Sequence, residues 1–291
     1  MAQKDVCLLL YHPLQANAAL RATRTQLEKV NREYIDMATS GDFLADVHSL
    51  RHHLSRVHRV IVLGGDGTLN LAVNALAHTD VELALVPCGS GNDFARQWRC
   101  SPQQWIAAAL SEKSTPINVA QVNERYFINI AGVGYDAEVV KHSEAKSGLF
   151  AHLSYTIKGL RHLYRYVPPV VNFTMDDKAH RRESLMLCIA NGQFFGAGMH
   201  IAPQAHIQGE QLSGIHVGKA SFWQQVYALL LSYAGKHVNL SHIEQFSAHE
   251  VVVSTPNIGI EADGEYVGLS PAAFKLHKHA LRFVIPKVST P

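Results

Sequence analysis

The sequence is poor in cysteine, in net charge and in long apolar runs. Its four cysteines form no Cys-x-x-Cys pair, so neither a disulfide framework nor a zinc site is indicated, and the thiols are expected to be reduced. The net charge is only +2, which argues against a dedicated nucleic-acid-binding protein. The first apolar run, Val6–Tyr11, is too short for a signal peptide, and no run reaches the roughly 18 apolar residues of a membrane span. These absences predict a cytoplasmic protein.

What the sequence does contain is enough apolar residues for a large folded core. Apolar residues make up 47% of the 291 residues and charged residues 17%, which indicates a globular chain of two domains. In the first part, apolar runs typical of buried strands alternate with segments of helical periodicity, which predicts a parallel sheet with helices on both faces. The predicted strands are Val6–Tyr11, Tyr34–Thr39, Arg59–Leu63 and Leu83–Pro87, and the predicted helices are Ala16–Val30, Phe43–Leu54, Leu69–Ala77 and one that begins at Ser101.

Beyond about Pro116, short strand-like segments dominate, interrupted by predicted helices at Ser147–Tyr166 and Phe222–Gly235. The fold class predicted is therefore α/β followed by β: an N-terminal α/β domain over residues 1–122 with a parallel sheet, and a C-terminal β-rich, sandwich-like domain over residues 123–280. The predicted strands of this second part are Ile117–Val122, Tyr126–Ala131, Val170–Met175, Leu185–Ala190, Gly214–Val217, Glu250–Ser254, Ile258–Glu261, Ala273–His277 and Leu281–Ile285.

Two glycine-rich loops follow successive predicted strands of the first domain. Gly64–Thr68 (GGDGT) precedes a helix, and Gly89–Arg96 (GSGNDFAR) follows the next strand along the chain. Glycines let the backbone approach an anion closely, and a helix N-terminus offers free N–H groups and a positive dipole end. The carboxyl ends of adjacent parallel strands meet at one edge of the sheet. The loops therefore predict a phosphate cradle, with two unrelated tight turns as the alternative interpretation.

With these loops the sequence resembles the diacylglycerol kinase catalytic family, which includes bacterial lipid kinases and the sphingosine and ceramide kinases. Ser90 stands where the family has threonine and keeps the hydroxyl. The resemblance implies an α/β nucleotide-binding domain and a β-rich domain with the site in the cleft between them, and residues 281–291 packing back on the first domain. It also implies transfer of the ATP γ-phosphate to a lipid hydroxyl. The matching motifs, in the family's order, are Gly64–Asn70, Gly89–Arg96, Gly132–Ala137 (GVGYDA), Asn191–Ala205 (NGQFFGAGMHIAPQA) and Asp263-Gly264-Glu265.

The resemblance assigns roles to individual residues. It implies that Glu265 and Asp263 are catalytic, with Glu265 at the position of the family's general base. An alcohol needs such a base because it is a poor nucleophile. Taken without the resemblance, an Asp-Gly pair between strands is a hairpin signal. The residues implied to hold the nucleotide are Thr39, Gly64, Gly65, Asp66, Gly67, Thr68, Leu69, Asn70, Ser90, Asn92 and Asp93.

Magnesium is the implied counter-ion of the triphosphate, with Asp66, Asp136 and Glu210 as candidate ligands. Here the sequence departs from the family. Gly209 and Ser213 stand at positions where the family has aspartates of a structural magnesium site, which leaves Glu210 as the acidic residue of that stretch. Either Glu210 serves as the ligand, or the site is absent and the protein is a weak kinase or a non-catalytic relative.

A lipid kinase must approach a bilayer without spanning it, so peripheral contact with the inner face of the membrane is expected. The Ser147–Tyr166 helix has apolar and basic faces, typical of a helix at an anionic interface or of one that covers the domain's own sheet. The apolar stripe of Phe222–Gly235 is expected to pack in the core. Phe194 and Phe195 are expected to line either an acyl-chain entrance or the core.

Two other functions remain open at this point. NAD kinases and phosphofructokinases also use a GGDGT-type loop, so the protein could be a kinase for a soluble substrate. A nucleotide-binding regulatory protein that has lost turnover is the second alternative, and the missing aspartates at positions 209 and 213 are its support.

Overall fold

The computed structural model describes residues 6–141 and 163–287, which form two compact units. The first unit contains the residues up to Val119 together with those from Lys278 onward, and the second contains Ala120–His277. The helix predicted at Ser147–Tyr166 falls largely outside the described residues. Within the described residues, no helix combines the length and the apolar character that crossing a bilayer requires.

Strands and helices alternate at first, and strands predominate later. The helices are α1 (Asn17–Lys29), α2 (Phe43–His53), α3 (Asp66–Leu76), α4 (Pro102–Ser111), α5 (Tyr135–Lys141) and α6 (Phe222–Ser232). The strands are β1 (Cys7–Tyr11), β2 (Tyr34–Ala38), β3 (Arg59–Gly64), β4 (Glu82–Pro87), β5 (Thr115–Val122), β6 (Arg125–Phe127), β7 (Ile130–Gly134), β8 (Val170–Met175), β9 (Lys178–Ala190), β10 (Leu212–Gly218), β11 (Ile243–Ala248), β12 (Glu250–Val253), β13 (Gly259–Ala262), β14 (Glu265–Leu269) and β15 (Ala272–Phe283).

The sheet of the first unit is parallel, in the order β2-β1-β3-β4-β15. Every residue of β3 is buried, as expected of a strand covered on both faces. The end of β15 completes the sheet: Arg282 and Phe283 pair with Glu82 and Leu83 of β4. The carboxyl ends of β1, β3 and β4 therefore share one edge, and both glycine-rich loops begin there.

One buried ion pair ties the opposite ends of β3 and β4 to the α4 segment. Arg59 is 6% exposed; its Nε donates to Glu82 at 2.9 Å, and its remaining N–H groups donate to Glu82 and to the carbonyl oxygens of Ala109 and Glu112. Burial alone would raise the pKa of Glu82, but hydrogen bonds from Ser114 and Arg59 outweigh it and lower that pKa. Without Arg59, the partly buried Glu82 would keep Ser114 as a donor but would lose its cationic partner.

The second unit is built on antiparallel strands. β7 lies between β9 and β13, and β13 forms a hairpin with β14. The long β9 pairs with β8 through its first half and with β7 and β10 through its second half, while β12 joins β8 to β15. Apolar residues from both sets of strands meet in one core, which includes Val133, Leu187, Ile260, Phe173, Val251 and Phe274. The predicted fold class, an α/β domain followed by a β-rich domain, is confirmed.

Several predicted strands of the second part have different bounds in the structure. Leu185–Ala190 is the second half of the longer β9, and β11 and β14 match no predicted strand. Tyr126–Ala131 is divided into β6 and β7, because the N–H groups of Ile128, Asn129 and Ile130 bond to the carboxylate of Asp263 and not to a neighbouring strand. The predicted segments Ala273–His277 and Leu281–Ile285 form the single strand β15.

Candidate active site

The first glycine-rich loop leads from β3 directly into α3. The N-cap position of α3 is Gly65, which supplies no side-chain cap, so the N–H groups of the first turn remain open to another acceptor. A methyl group on Gly64 would lie 2.6 Å from Thr68 Oγ1, so only glycine fits there. This is the geometry that binds an anion at a helix N-terminus.

The second glycine-rich loop lies against the first. A methyl group on Gly65 would come 3.1 Å from the Cα of Gly89, and one on Gly89 would overlap the Gly65 backbone. Asn92 holds the second loop: its Oδ1 accepts from the Gly89 N–H at 2.9 Å, and its Nδ2 donates to the Gly89 carbonyl at 2.8 Å. Ser90 is exposed at the tip of this loop. The close approach requires glycine on both loops, which explains two of the motif glycines.

Asp66 joins the two loops. Its carboxylate accepts the N–H of Asp93 at 3.0 Å and the N–H of Phe94 at 3.1 Å. Asp93 in turn accepts from Arg96 Nε at 3.1 Å, and Arg96 reaches the Gly91 carbonyl. Asp66 therefore fixes the relative position of the loops, a role that the sequence pattern did not indicate.

The other residues of this unit that were predicted to bind the nucleotide lie close to the same sheet edge. Thr39 follows β2 and is half-buried; its N–H donates to the Tyr11 carbonyl at 2.9 Å, beside the end of β1. The next turn is held by the buried carboxylate of Asp46, which accepts from both the N–H and the hydroxyl of Ser40. Leu69 and Asn70 are buried inside α3, where Asn70 accepts hydrogen bonds from Asn74 Nδ2.

In the second unit, Asp263 and Gly264 form the turn of the β13–β14 hairpin. Both have positive φ, +50° and +84°, as a two-residue hairpin turn requires. The carboxylate of Asp263 accepts three backbone N–H groups, from Ile128, Asn129 and Ile130, at 2.9, 2.9 and 3.2 Å. Asp263 thus anchors the hairpin to the segment between β6 and β7.

Glu265 is the first residue of β14, directly after this turn, and its side chain is exposed. Arg125, on β6, is partly buried; burial lowers its pKa, and attraction to the carboxylates of Glu265 and Asp263 partly offsets that effect. A fixed hairpin therefore presents Glu265 to solvent next to a cationic side chain. Sequence reasoning missed Arg125, because nothing in its local pattern distinguishes it.

Asp136, at the start of α5, faces a second buried carboxylate that the sequence reasoning also missed. Glu261 on β13 is fully buried; its Oε2 accepts the Gly264 N–H at 2.8 Å, and its Oε1 has no hydrogen-bond partner among the described residues. Asp136 Oδ2 is also buried and also has no hydrogen-bond partner among the described residues. Both oxygens lie beside Gly132, where a methyl group would overlap Asp136 Oδ2 and lie 2.9 Å from Glu261 Oε1.

This pair is costly to ionise. Burial raises the pKa of Asp136 to about 7, and burial together with the neighbouring Asp136 raises the pKa of Glu261 well above its usual range. The pair therefore holds a proton near neutral pH. A signal for Glu261 was present in the sequence, since it is the one charged residue in the apolar run Ile258–Ala262.

Residues 191–200 pack on the same segment that Asp263 holds. Asn191 is buried and donates to the Ile128 carbonyl at 2.7 Å, while Asn129 donates to the Phe194 carbonyl. Phe194 is half-buried and stacks on His200 with ring centroids 4.5 Å apart. Phe195 packs against a hydrophobic cluster of this unit. The Asn191–Ala205 motif and the Asp263 hairpin thus meet at residues 128–130.

The candidate metal ligands do not form a cluster. Among the described residues, no three His, Cys, Asp or Glu side chains come close enough to hold a metal ion. Asp66 uses its carboxylate on two amides, Asp136 keeps one unpartnered buried oxygen, and Glu210 is exposed. A Mg²⁺ that arrives with a nucleotide needs only one or two protein carboxylates in addition to the phosphates. Within residues 6–141 and 163–287, the carboxylates therefore form no all-protein cage for a metal ion.

Comparison with known proteins agrees with this arrangement. Residues 8–122 match the diacylglycerol kinase catalytic domain, and residues 129–285 match the YegS C-terminal NAD kinase beta sandwich-like domain. The chain is 30% identical to a diacylglycerol kinase of Bacillus subtilis (strain 168) over 236 residues, 78% of each chain. It is 26% identical to a diacylglycerol kinase of Mycobacterium tuberculosis (strain H37Rv) over 295 residues, 96% of this chain and 94% of the relative.

A solved structure of similar fold comes from a candidate diacylglycerol kinase of Bacillus anthracis str. Sterne. It superimposes with a TM-score of 0.76 at 20% identity and covers 98% of both chains. The glycine-rich loops of the first unit and the hairpin of the second, together with these matches over both units, place the chain in the diacylglycerol kinase family.

Proposed function

We propose that the protein is an ATP- and Mg²⁺-dependent lipid kinase that transfers the γ-phosphate to the hydroxyl of a diacylglycerol-like lipid. The observation that carries this proposal is the pair of glycine-rich loops joined by Asp66. The open N–H groups of α3 and the loop backbone offer donors to phosphate oxygens. Nucleotide phosphates are the ligand that such a cradle suits.

Glu265 is proposed as the general base. Phosphoryl transfer to an alcohol is assisted by a carboxylate that accepts the hydroxyl proton. Glu265 is exposed on a hairpin whose turn is fixed by Asp263, so its carboxylate is held in position and remains accessible to an acceptor. Asp263 has three amide partners, which supports a role in positioning and not in proton transfer.

Magnesium, when bound with the nucleotide, would neutralise phosphate charge. Asp136, which keeps one unpartnered oxygen, is proposed to assist it, and a cation there would displace the proton that Asp136 and Glu261 hold near neutral pH. The cradle residues of the first unit, including Thr39 and Ser90, would orient the phosphates through hydroxyl and N–H donors.

The test is ADP release from ATP in the presence of Mg²⁺ and mixed micelles of diacylglycerol, monoacylglycerol, phosphatidylglycerol, ceramide or sphingosine. We expect release with a glycerolipid, and a loss of kcat of about 10²-fold or more in Glu265→Gln. Glu244→Gln, an exposed glutamate on β11, is the matched control and should keep wild-type turnover.

The same assay decides between the proposal and its alternatives. NAD in aqueous buffer is included because the second unit matches a domain of NAD kinase-like type. Turnover with NAD and none with lipid would replace the proposal with a soluble-substrate kinase. ATP binding with no turnover on any acceptor would favour a non-catalytic nucleotide-binding protein.

A further inference from the structure

The helix α6 presents its large apolar side chains to solvent. Trp223 is 76% exposed, Tyr227 55% and Leu230 66%, and their spacing of four and three residues places them on one side of the helix. Tyr233, just after the helix, is also exposed. The residues that α6 buries are Gln225, Ala228 and Ser232. The sequence-based expectation that this stripe packs in the core is therefore wrong for Trp223, Tyr227 and Leu230, whereas Phe222 packs against a hydrophobic cluster of the unit. The exposed side is called the α6 outer face below and consists of Trp223, Tyr227, Leu230 and Tyr233.

Neighbouring residues of the same unit extend this apolar surface. Tyr164 is 74% exposed, and its ring packs edge-on against that of Phe222, with centroids 5.6 Å apart. Val167 is also largely exposed. Clusters of exposed aromatic and aliphatic side chains mark interaction surfaces, because a soluble protein otherwise limits such patches.

Along the chain, the charged residues that flank α6 are basic. From Gln211 to Ile243 the chain contains no Asp or Glu, while Lys219 and Lys236 lie just before and just after α6. Arg165, next to Tyr164, is exposed. Lys219 contacts Glu183 at 3.4 Å, but both side chains are at least half exposed, so solvent screens that pair.

We infer that the α6 outer face docks on the surface of an anionic phospholipid bilayer. Trp and Tyr place an apolar ring among lipid chains and a polar N–H or O–H at the headgroups, which suits the bilayer interface. Leu230 supplies apolar area between them, and the flanking lysines attract anionic headgroups. α6 would lie in the plane of the interface.

A second copy of the chain suits this face less well. A stable dimer commonly uses 20–30 residues on each side, whereas the α6 outer face has four large side chains. In a dimer formed through this face, Lys219 and Lys236 of the two copies would come close together, and their positive charges would repel. Shallow insertion into a bilayer needs neither a large area nor an opposing charge on a protein.

This inference rests on the proposed function in one respect, since a lipid substrate resides in the bilayer. Its test is nevertheless independent of turnover. The full chain is mixed, without ATP, with vesicles of phosphatidylcholine containing phosphatidylglycerol or with vesicles of phosphatidylcholine alone, and binding is measured by co-sedimentation. Tryptophan emission is recorded in the same samples: of Trp98, Trp105 and Trp223, only Trp223 is highly exposed.

We expect binding to the anionic vesicles, a blue shift of the tryptophan emission on binding, and quenching by brominated lipid. The double variant Trp223→Ala/Leu230→Ala should weaken binding about tenfold or more. Lys236→Gln should weaken it about fivefold on anionic vesicles only. Leu44→Ala, a 77% exposed leucine on α2 of the first unit, is the matched control and should bind like the wild type. All substituted positions are exposed, and melting temperatures check that the variants fold.

Four outcomes would overturn the inference: no binding by the wild type, unchanged binding by the double variant, unshifted emission in bound protein, or a dimer that the double variant abolishes. Glu265→Gln should still bind vesicles. If the wild-type protein binds vesicles through α6 but turns over none of the lipids, the proposed function is refuted and the docking surface is not.

Discussion

The two carboxylates of the Asp263-Gly264-Glu265 motif should separate into one that stabilises the fold and one that is needed for turnover. Asp263→Asn and Glu265→Gln are equivalent chemical changes two residues apart. Asn tolerates the left-handed φ of +50° at position 263, so the substitution removes charge and one acceptor oxygen without straining the turn. In the variant, the Asn NH2 group would face a backbone N–H whose hydrogen bond the Asp263 carboxylate accepts in the wild type.

The size of the effect follows from the three amides that Asp263 accepts, at 2.9, 2.9 and 3.2 Å. Hydrogen bonds to a charged group contribute about 1.5–3 kcal/mol each, and they are not additive. An Asn can satisfy only part of this set, so Asp263→Asn should lower the free energy of unfolding by about 2–4 kcal/mol. Glu265 is exposed, so Glu265→Gln should change the stability by less than about 0.5 kcal/mol.

The assay is urea unfolding combined with native-state hydrogen exchange at residues 128–130. Asp263→Asn should speed exchange at those amides, and Glu265→Gln should leave it unchanged. At a temperature where both variants are folded, Glu265→Gln should lose turnover and Asp263→Asn should largely keep it. Wild-type stability and exchange in Asp263→Asn, together with complete loss of turnover, would refute the reasoning and make Asp263 a catalytic group.

Three further predictions concern single charged or titratable side chains. Burial raises the pKa of Asp136 to about 7 and that of Glu261 well above its usual range, so the stabilising contribution of this pair is fully present below about pH 4 and is lost as the pH rises through 7. Glu261→Gln should reduce the fall in melting temperature over this pH range, and an unchanged fall would contradict it. Asp66→Asn should weaken nucleotide binding measured by calorimetry, because the loops lose the carboxylate that joins them; wild-type affinity would speak against that role. Arg59→Met should lower the free energy of unfolding by about 2–4 kcal/mol in urea titration, because the partly buried Glu82 loses its cationic partner and the carbonyl oxygens of Ala109 and Glu112 lose their donor. A neutral result would contradict this role of Arg59.

The sequence predicts the glycine-rich loops well, because their residues are contiguous and their chemistry is local. It does not predict that Asp66 bonds to Asp93 and Phe94, since that contact depends on the distance between two loops. Likewise, nothing near Asp136 in the sequence indicates that Glu261 faces it across Gly132. Contacts of this kind arise from strand pairing over long sequence separations.

The orientation of α6 shows a different limit. Periodicity identifies the stripe of Trp223, Tyr227 and Leu230, but it does not say whether that stripe faces the core or the solvent. The size and hydrophobicity of these three side chains favour burial in the core. In the structure, however, the side of α6 that faces the core carries the small residues Ala228 and Ser232. An apolar stripe that a bilayer covers has the same sequence signature as one that the protein covers.

The path of the chain has a consequence for its synthesis. The first unit needs the end of β15, where Arg282 and Phe283 pair with β4, but the whole of the second unit is encoded between that strand end and the rest of the first unit. On the ribosome, therefore, the residues before Val119 emerge early, and their sheet remains incomplete until the end of β15 has been synthesised. The second unit is contiguous and can fold while they wait. During that interval the edge of β4 lacks its final partner, and an unpaired strand edge is a site where aggregation starts.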